Sequence, residues 1–187
     1  MTTTTLTSIR TGTYAIYPAR SVCRFTVPHV FGLKPVTGTM ALVTGTLSVA
    51  SDPERSIASA EFDATTFTTD DPRRDRDIRG RRFLDTANHP EIGFRSTGVH
   101  RTAEGWRLTG VLTVRGGFCE VALKLVSVLA DCDCYRLTAS CVVDRVAAGV
   151  AAGRPLIGRH VRIDLDLYAV PVPSIPSATH AARIAGT

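Results

Sequence analysis

Five histidines, five cysteines and one dense run of arginine and aspartate are the side chains in this 187-residue sequence from which a chemical site could be built. His29, His89, His100, His160 and His180 share no metal-ligand spacing. Cys132 and Cys134 form a Cys-x-Cys pair, and Cys141 follows seven residues after Cys134. A structural zinc site favours Cys pairs two to four residues apart with a matching second pair. Neither condition holds, so these residues read as free thiols in a turn, and no metal is assigned. No phosphate-binding glycine loop, His-Glu-x-x-His or Gly-x-Ser-x-Gly pattern occurs, so no catalytic residue is assigned.

The densest chemistry lies in residues 71–82. Six arginines (Arg73, Arg74, Arg76, Arg79, Arg81, Arg82) accompany three aspartates (Asp71, Asp75, Asp77). The guanidinium fork matches phosphate, so one reading is a headgroup-binding mouth. The other is a solvated helix face whose charges partly pair with each other. Nucleic acid fits poorly, because no aromatic stacking platform is interleaved with the basic residues. His29 ends the run Val22 to His29 and shares a face with Phe25 and Val27. It reads either as a core histidine or as a polar handle at one end of a ligand cavity.

Most of the elements that must position these residues repeat every two positions, the period of a half-buried strand. Trp106, Leu108, Gly110, Leu112 and Val114 share one face, Tyr135, Leu137, Ala139, Cys141 and Val143 another, and Val161, Ile163, Leu165 and Leu167 a third. Further strands are predicted at 22–30, 36–43, 45–50, 57–66, 92–99 and 121–129. They are rich in the Thr, Val and Ile that suit a pleated surface. Strands at this spacing indicate an antiparallel sandwich or barrel. Residues 70–84 offer an Asp cap and Pro72 at the first helical position, predicting a short helix. The Ala-rich connector 145–153 predicts one or two helical turns. Strand 121–129 is apolar on both faces. A barrel with such an inner face either packs shut or encloses a cavity, and an aromatic content of only 6% favours the cavity.

Composition narrows the class. Hydrophobic residues make up 44% and charged residues 21% of the chain, with a mean hydropathy of +0.09; this excludes a disordered polymer. No apolar stretch is long enough for a membrane-spanning helix. The net charge is +5, and of the 22 basic residues only Lys34 and Lys124 are lysine. That balance fits an anionic partner or a compositional habit of the source genome. Residues 1–10 show neither the basic nor the apolar region of a secretory signal, so the expected location is the cytoplasm. The cysteine count is odd and a disulfide framework is not expected. Residues 170–187 read as a disordered tail.

Taken in order, several segments resemble the YceI-like family of lipocalin-like polyisoprenoid-binding proteins. Ser21 precedes the alternating run Cys23, Phe25, Val27, His29, as in that family's first strands. Thr69 followed by Arg74 and Asp75 is similar to its threonine and Arg-Asp signature. Residues 82–97, 108–116, Arg145 and 157–163 fit its later segments. The family commonly has His-Leu where Asp77 and Ile78 stand here. The likeness spans 13–169 and implies one domain of those bounds: an all-β, antiparallel eight-stranded lipocalin-like barrel with a short helical segment and an apolar cavity. It implies a long-chain isoprenoid or similar amphiphilic ligand, such as a quinone tail or a polyprenyl phosphate. It implies neither a cofactor nor an enzyme activity, and it allows a homodimer. The expected ligand-facing residues are Phe25, Val27, His29, Met40, Phe62, Phe94, Leu112, Leu123 and Leu125. Arg74 and Asp75 are expected to fix the helical segment to the barrel rim. Two other classes stay open: a non-binding, stress-linked structural or interaction module with a packed interior, and a barrel enzyme in which His29, Arg74 and Asp75 meet.

Overall fold

The computed structural model describes residues 8–28, 35–153 and 157–173. His29 lies outside the described residues, as do residues 174–187 of the expected tail, His180 among them, whereas residues 170 and 171 of that tail are the paired end of a strand. Nine strand segments are present: β1 (Gly12–Ile16), β2 (Val22–Val27), β3 (Val36–Val49), β4 (Ile57–Thr68), β5 (Glu91–Thr102), β6 (Gly105–Val114), β7 (Gly117–Asp131), β8 (Cys134–Asp144) and β9 (His160–Pro171). From β3 to β9 each pairs antiparallel with the next, β8 and β9 being separated in sequence by the connector 145–159. Both β1 and β2 lie between β3 and β9 and pair with each. They form one stave, interrupted by the 3-10 turn Pro18–Arg20. The sheet therefore closes as an eight-stave barrel.

The predicted strands 36–43 and 45–50 are one continuous strand, β3. Gly45, at the expected break between them, is a paired position opposite Ala60. The two-sided apolar character of 121–129 also has a structural cause. Leu125 pairs with Ala139 and Ser127 with Thr138, which leaves Val126 as an unpaired bulge. A bulge shifts which positions face inward, so Leu123 and Leu125 face the interior before it and Val128 after it.

The predicted helix is α1 (Pro72–Arg79). Asp71 caps it, accepting hydrogen bonds from the Arg73 and Arg74 N–H groups at 3.1 Å each. The connector 145–153 forms hydrogen-bonded turns rather than the expected helix. Asp144 Oδ1 accepts from the Val146 and Ala147 N–H groups. The buried Arg145 guanidinium donates to the carbonyls of Val150, Ala152, Ile157 and Gly158 at 2.6–2.8 Å. Those carbonyls therefore face a side chain instead of a helical ladder.

A polar latch seats α1 on the end of β4. Asp75, only 4% exposed, accepts from Thr68 Oγ1 at 2.8 Å, Thr69 Oγ1 at 2.6 Å and the Thr69 N–H at 2.8 Å. The Thr69 hydroxyl in turn accepts from Arg74 Nε at 2.7 Å, and the Thr69 carbonyl accepts from Arg74 Nη2 at 3.1 Å. Thr69 thus links the two signature residues, which do not form an ion pair with each other; Arg74 lies 3.9 Å from Asp71 instead. Burial pushes the Asp75 carboxyl up. The hydrogen bonds from Thr69 and Thr68, with the charge of Arg79, outweigh burial and hold its pKa below the ordinary value.

Asp75→Ala removes three acceptor contacts from one buried site. Hydrogen bonds to charged groups are worth about 1.5–3 kcal/mol, so a loss of at least about 2 kcal/mol is expected, or roughly 4–8 °C in Tm. Because the folded-state pKa is depressed, the latch contributes fully above the unfolded carboxyl value of about 3.9. Its contribution is lost as the pH falls through the folded value. Thermal melts across acidic pH should show the wild-type advantage over Asp75→Ala shrinking on acidification; a constant difference would mean that Asp75 is not ionised in the fold.

Candidate functional site: a two-lobed apolar lumen

The inward-facing positions of the eight staves do not meet at the barrel axis. They enclose two adjoining lobes of about 410 and 360 Å³. Ala60, Phe62, Phe94, Leu123 and Leu165 line both lobes and form a waist between them. The first lobe lies at the α1 end. Phe25, Val27, Met40 and Leu112 line it, together with Ile78, Phe83 and Leu84 from α1 and the turns that follow. The second lies at the opposite end, where Leu125, Trp106, Val128 and Leu137 contribute. All eight apolar residues expected to face a ligand therefore line the lumen. His29 lies outside the described residues, so a meeting of His29 with Arg74 and Asp75 has no geometry in this structure.

Two glycines help to keep this space open. The Phe25 ring lies where a Cβ on Gly38 would stand, and the Phe94 ring where a Cβ on Gly110 would stand. Each aromatic ring occupies the gap left by a missing side chain on a neighbouring strand. The rings lie along the wall and take up less of the lumen. Phe25 also stacks on Phe67, with centroids 4.3 Å apart and planes 16° apart. Phe67 was not expected to face inward. The β3–β4 register breaks between Ala41↔Asp63 and Thr39↔Thr68, and a period-two pattern cannot carry an inward face across such an irregularity. In the same segment, Asp63 Oδ1 accepts from the Thr65 N–H and hydroxyl.

The few polar groups of the first lobe come from its rim. Arg74 lines it while bonded to Thr69, Asp77 lines it while exposed to solvent, and Arg145 lines it while tied to four carbonyls. The lobe therefore reaches water beside α1. Asp77 and Ile78, which stand where the family resemblance places His-Leu, are both at this rim. Among the described residues no His, Cys, Asp or Glu cluster could hold a metal ion.

Two of the thiols belong to the wall of the first lobe. Cys23 and Cys141 flank β9, opposite Leu165 and Ile163 respectively. Burial, with the neighbouring Cys141, pushes the Cys23 thiol up to about 12. Burial, with Asp164 and Cys119, pushes Cys141 up to about 11. Cys132 is exposed. The turn placement expected for Cys132 is observed, whereas Cys134 opens β8. Only the thiolate is nucleophilic. A maleimide near neutral pH should therefore modify Cys132 quickly and Cys23 and Cys141 slowly. An apolar compound filling the lumen should slow the last two further and leave Cys132 unchanged. Mass mapping of labelled sites over time reads this directly, and equal rates at Cys23 and Cys132 would show that Cys23 does not face an enclosed lumen.

Comparison with known proteins adds the fold's relatives. The UPF0312 protein of Pseudomonas syringae pv. tomato is 34% identical over 102 residues, covering 54% of this chain and 53% of that protein. Protein YceI of Escherichia coli O157:H7 is 29% identical over 101 residues, covering 54% and 52%. The chain thus spans about half the length of the curated relatives it matches. Among solved structures, Burkholderia cenocepacia BcnA superposes with a TM-score of 0.72 at 18% identity, covering 83% of this chain and 99% of that one. A polyisoprenoid binding domain from Saccharophagus degradans, implicated in plant cell wall breakdown, superposes with a TM-score of 0.62 at 13% identity, covering 85% and 98%. These two show a shared fold. The YceI-like domain model matches residues 14–169, nearly the whole of the closed barrel, and the chain belongs to the YceI-like family.

Proposed function

We propose that this protein binds a long-chain isoprenoid or similar amphiphilic lipid inside the barrel, as a carrier rather than as an enzyme. The observation that carries the reading is the continuous apolar wall of the two lobes, joined at a waist of Ala60, Phe62, Phe94, Leu123 and Leu165. Such a wall offers a tail no directional chemistry and needs none. Each buried methylene is worth about 0.8 kcal/mol, so affinity accumulates with tail length. The family membership and the likeness to a polyisoprenoid binding domain support the same ligand class. A quinone tail and a polyprenyl phosphate share the tail that this wall would bind, and the polar rim beside α1 would face the headgroup of either. Arg74 serves first to seat α1, because its Nε and one Nη are engaged by Thr69.

Native mass spectrometry of the purified protein tests the proposal. A co-purified lipid mass, or stoichiometric uptake of an added long-chain quinone, is the expected result; bare protein that takes up none would overturn it. The same spectrum reads the homodimer that the resemblance allows. Leu123→Arg places a charge at the waist, where burying it without a partner costs several kcal/mol. It should lose lipid uptake, destabilise the fold, or both, whereas Leu123→Met, close in volume, should keep both within about 1.5 kcal/mol. If Leu123→Arg retains the Tm and the uptake, the waist does not contact the ligand.

A further inference from the structure

Five arginines of the charged run do not line the lumen, and four of them, Arg73, Arg76, Arg81 and Arg82, are not engaged within the protein. Arg79, which lines neither lobe, donates from Nε to the Phe67 carbonyl and belongs to the attachment of α1. The four are all exposed. Among the described residues their side chains make no salt bridge and no hydrogen bond. Of the neighbouring acids Asp70 and Asp77 are exposed, Asp71 caps α1 and Asp75 is buried, so α1 and the turn after it carry an excess of unpaired positive charge. The β6–β7 turn stands at the same end. Arg115 in that turn donates to the Arg81 carbonyl at 3.2 Å. At the second rung from the turn, Phe118 pairs with Thr113 and is 71% exposed.

We propose that this end of the barrel docks on an anionic lipid bilayer, with the four arginines against the headgroups and Phe118 in the interface. The proposal rests on the reading of the lumen as a lipid site. Three observations favour a bilayer over the headgroup of a single bound lipid. The four guanidinium groups lie outside the lumen, so a cargo headgroup held at the lobe's rim would not engage them as wall residues. They sit on α1 and the turn after it, the segment whose Arg74, Asp77, Ile78, Phe83 and Leu84 line the first lobe where it meets solvent. A tail crossing water exposes every methylene to solvent, so transfer is most favourable where the opening meets the bilayer. Arginine near an anionic membrane surface contributes about 1 kcal/mol each, and aromatic rings settle at the headgroup level.

Co-sedimentation with vesicles tests this. The full chain should bind vesicles of phosphatidylglycerol mixed into phosphatidylcholine, bind pure phosphatidylcholine far less, and be released by added salt as exposed charges are screened. The double variant Arg81→Gln, Arg82→Gln should bind the mixed vesicles about thirtyfold more weakly, two surface charges at about 1 kcal/mol each. Arg81→Lys, Arg82→Lys should bind as the parent does. Equal binding to the two vesicle types, or a Gln variant that binds the mixed vesicles like the parent, would overturn the docking surface. Uptake of geraniol without vesicles, read by the fluorescence of the single tryptophan, Trp106, which lines the second lobe, reports on the lumen alone. It should be the same for the parent and both double variants. Docking without geraniol uptake would count against the lumen as a lipid site, and uptake without docking would count against the surface.

Discussion

The backbone hydrogen bonds that β1 and β2 make to both β3 and β9 are the constraint from which the other features follow. A sheet of seven strands from β3 to β9 would present two open edges and expose one apolar face. The broken first stave joins those edges, with Tyr14 paired to Leu47 and Pro171, and Cys23 to Met40 and Leu165. Closure removes the unpaired edges that invite aggregation. It also turns the apolar faces of eight staves toward one another. Whether such an interior fills or stays hollow then depends on the size of the side chains that meet there. Here glycine at 38 and 110 lets two phenylalanines lie along the wall, and the centre stays open.

A hollow barrel gives up packing that a filled core would provide. Among the described residues no large side chain is fully buried. The segments at the α1 end are held instead by directional polar contacts. Asp75 and Thr69 tie α1 to β4, and Arg145 gathers the carbonyls of two turns. Each is a charge placed where water is scarce, compensated by several hydrogen bonds, and expensive to leave unpaired. The Arg-Asp pair of the family resemblance is therefore not a pair in space. Its two members act through a shared threonine, one donating to its hydroxyl and the other accepting from it.

The same end combines an opening with exposed charge. Asp77 and Arg74 stand where the first lobe meets solvent, and Arg73, Arg76, Arg81 and Arg82, on α1 and the turn after it, are exposed. The two readings of the charged run divide along this line. Arg74, Asp71 and Asp75 are engaged within the protein, by capping or by the latch. The outward arginines are left to whatever the barrel meets.

Much of the fold was legible in the sequence, because period-two alternation reports which residues share a face of a strand. That is a local property, and it identified the inner faces of β6, β8 and β9 and eight apolar residues that line the lumen. The Asp cap followed by Pro72 marked α1 for an equally local reason. Tertiary structure decided what depends on partners distant in sequence. A bulge is defined by the opposing strand, so the register shift at Val126 and the inward turn of Phe67 were invisible to alternation. The connector 145–153 has helical composition, but its carbonyls are engaged by the Arg145 guanidinium. Only the packed barrel distinguishes Arg74, bonded to Thr69 at the rim, from Arg73 beside it, exposed to solvent. In the sequence the two are adjacent arginines, and a helical turn of about 100° per residue separates their directions.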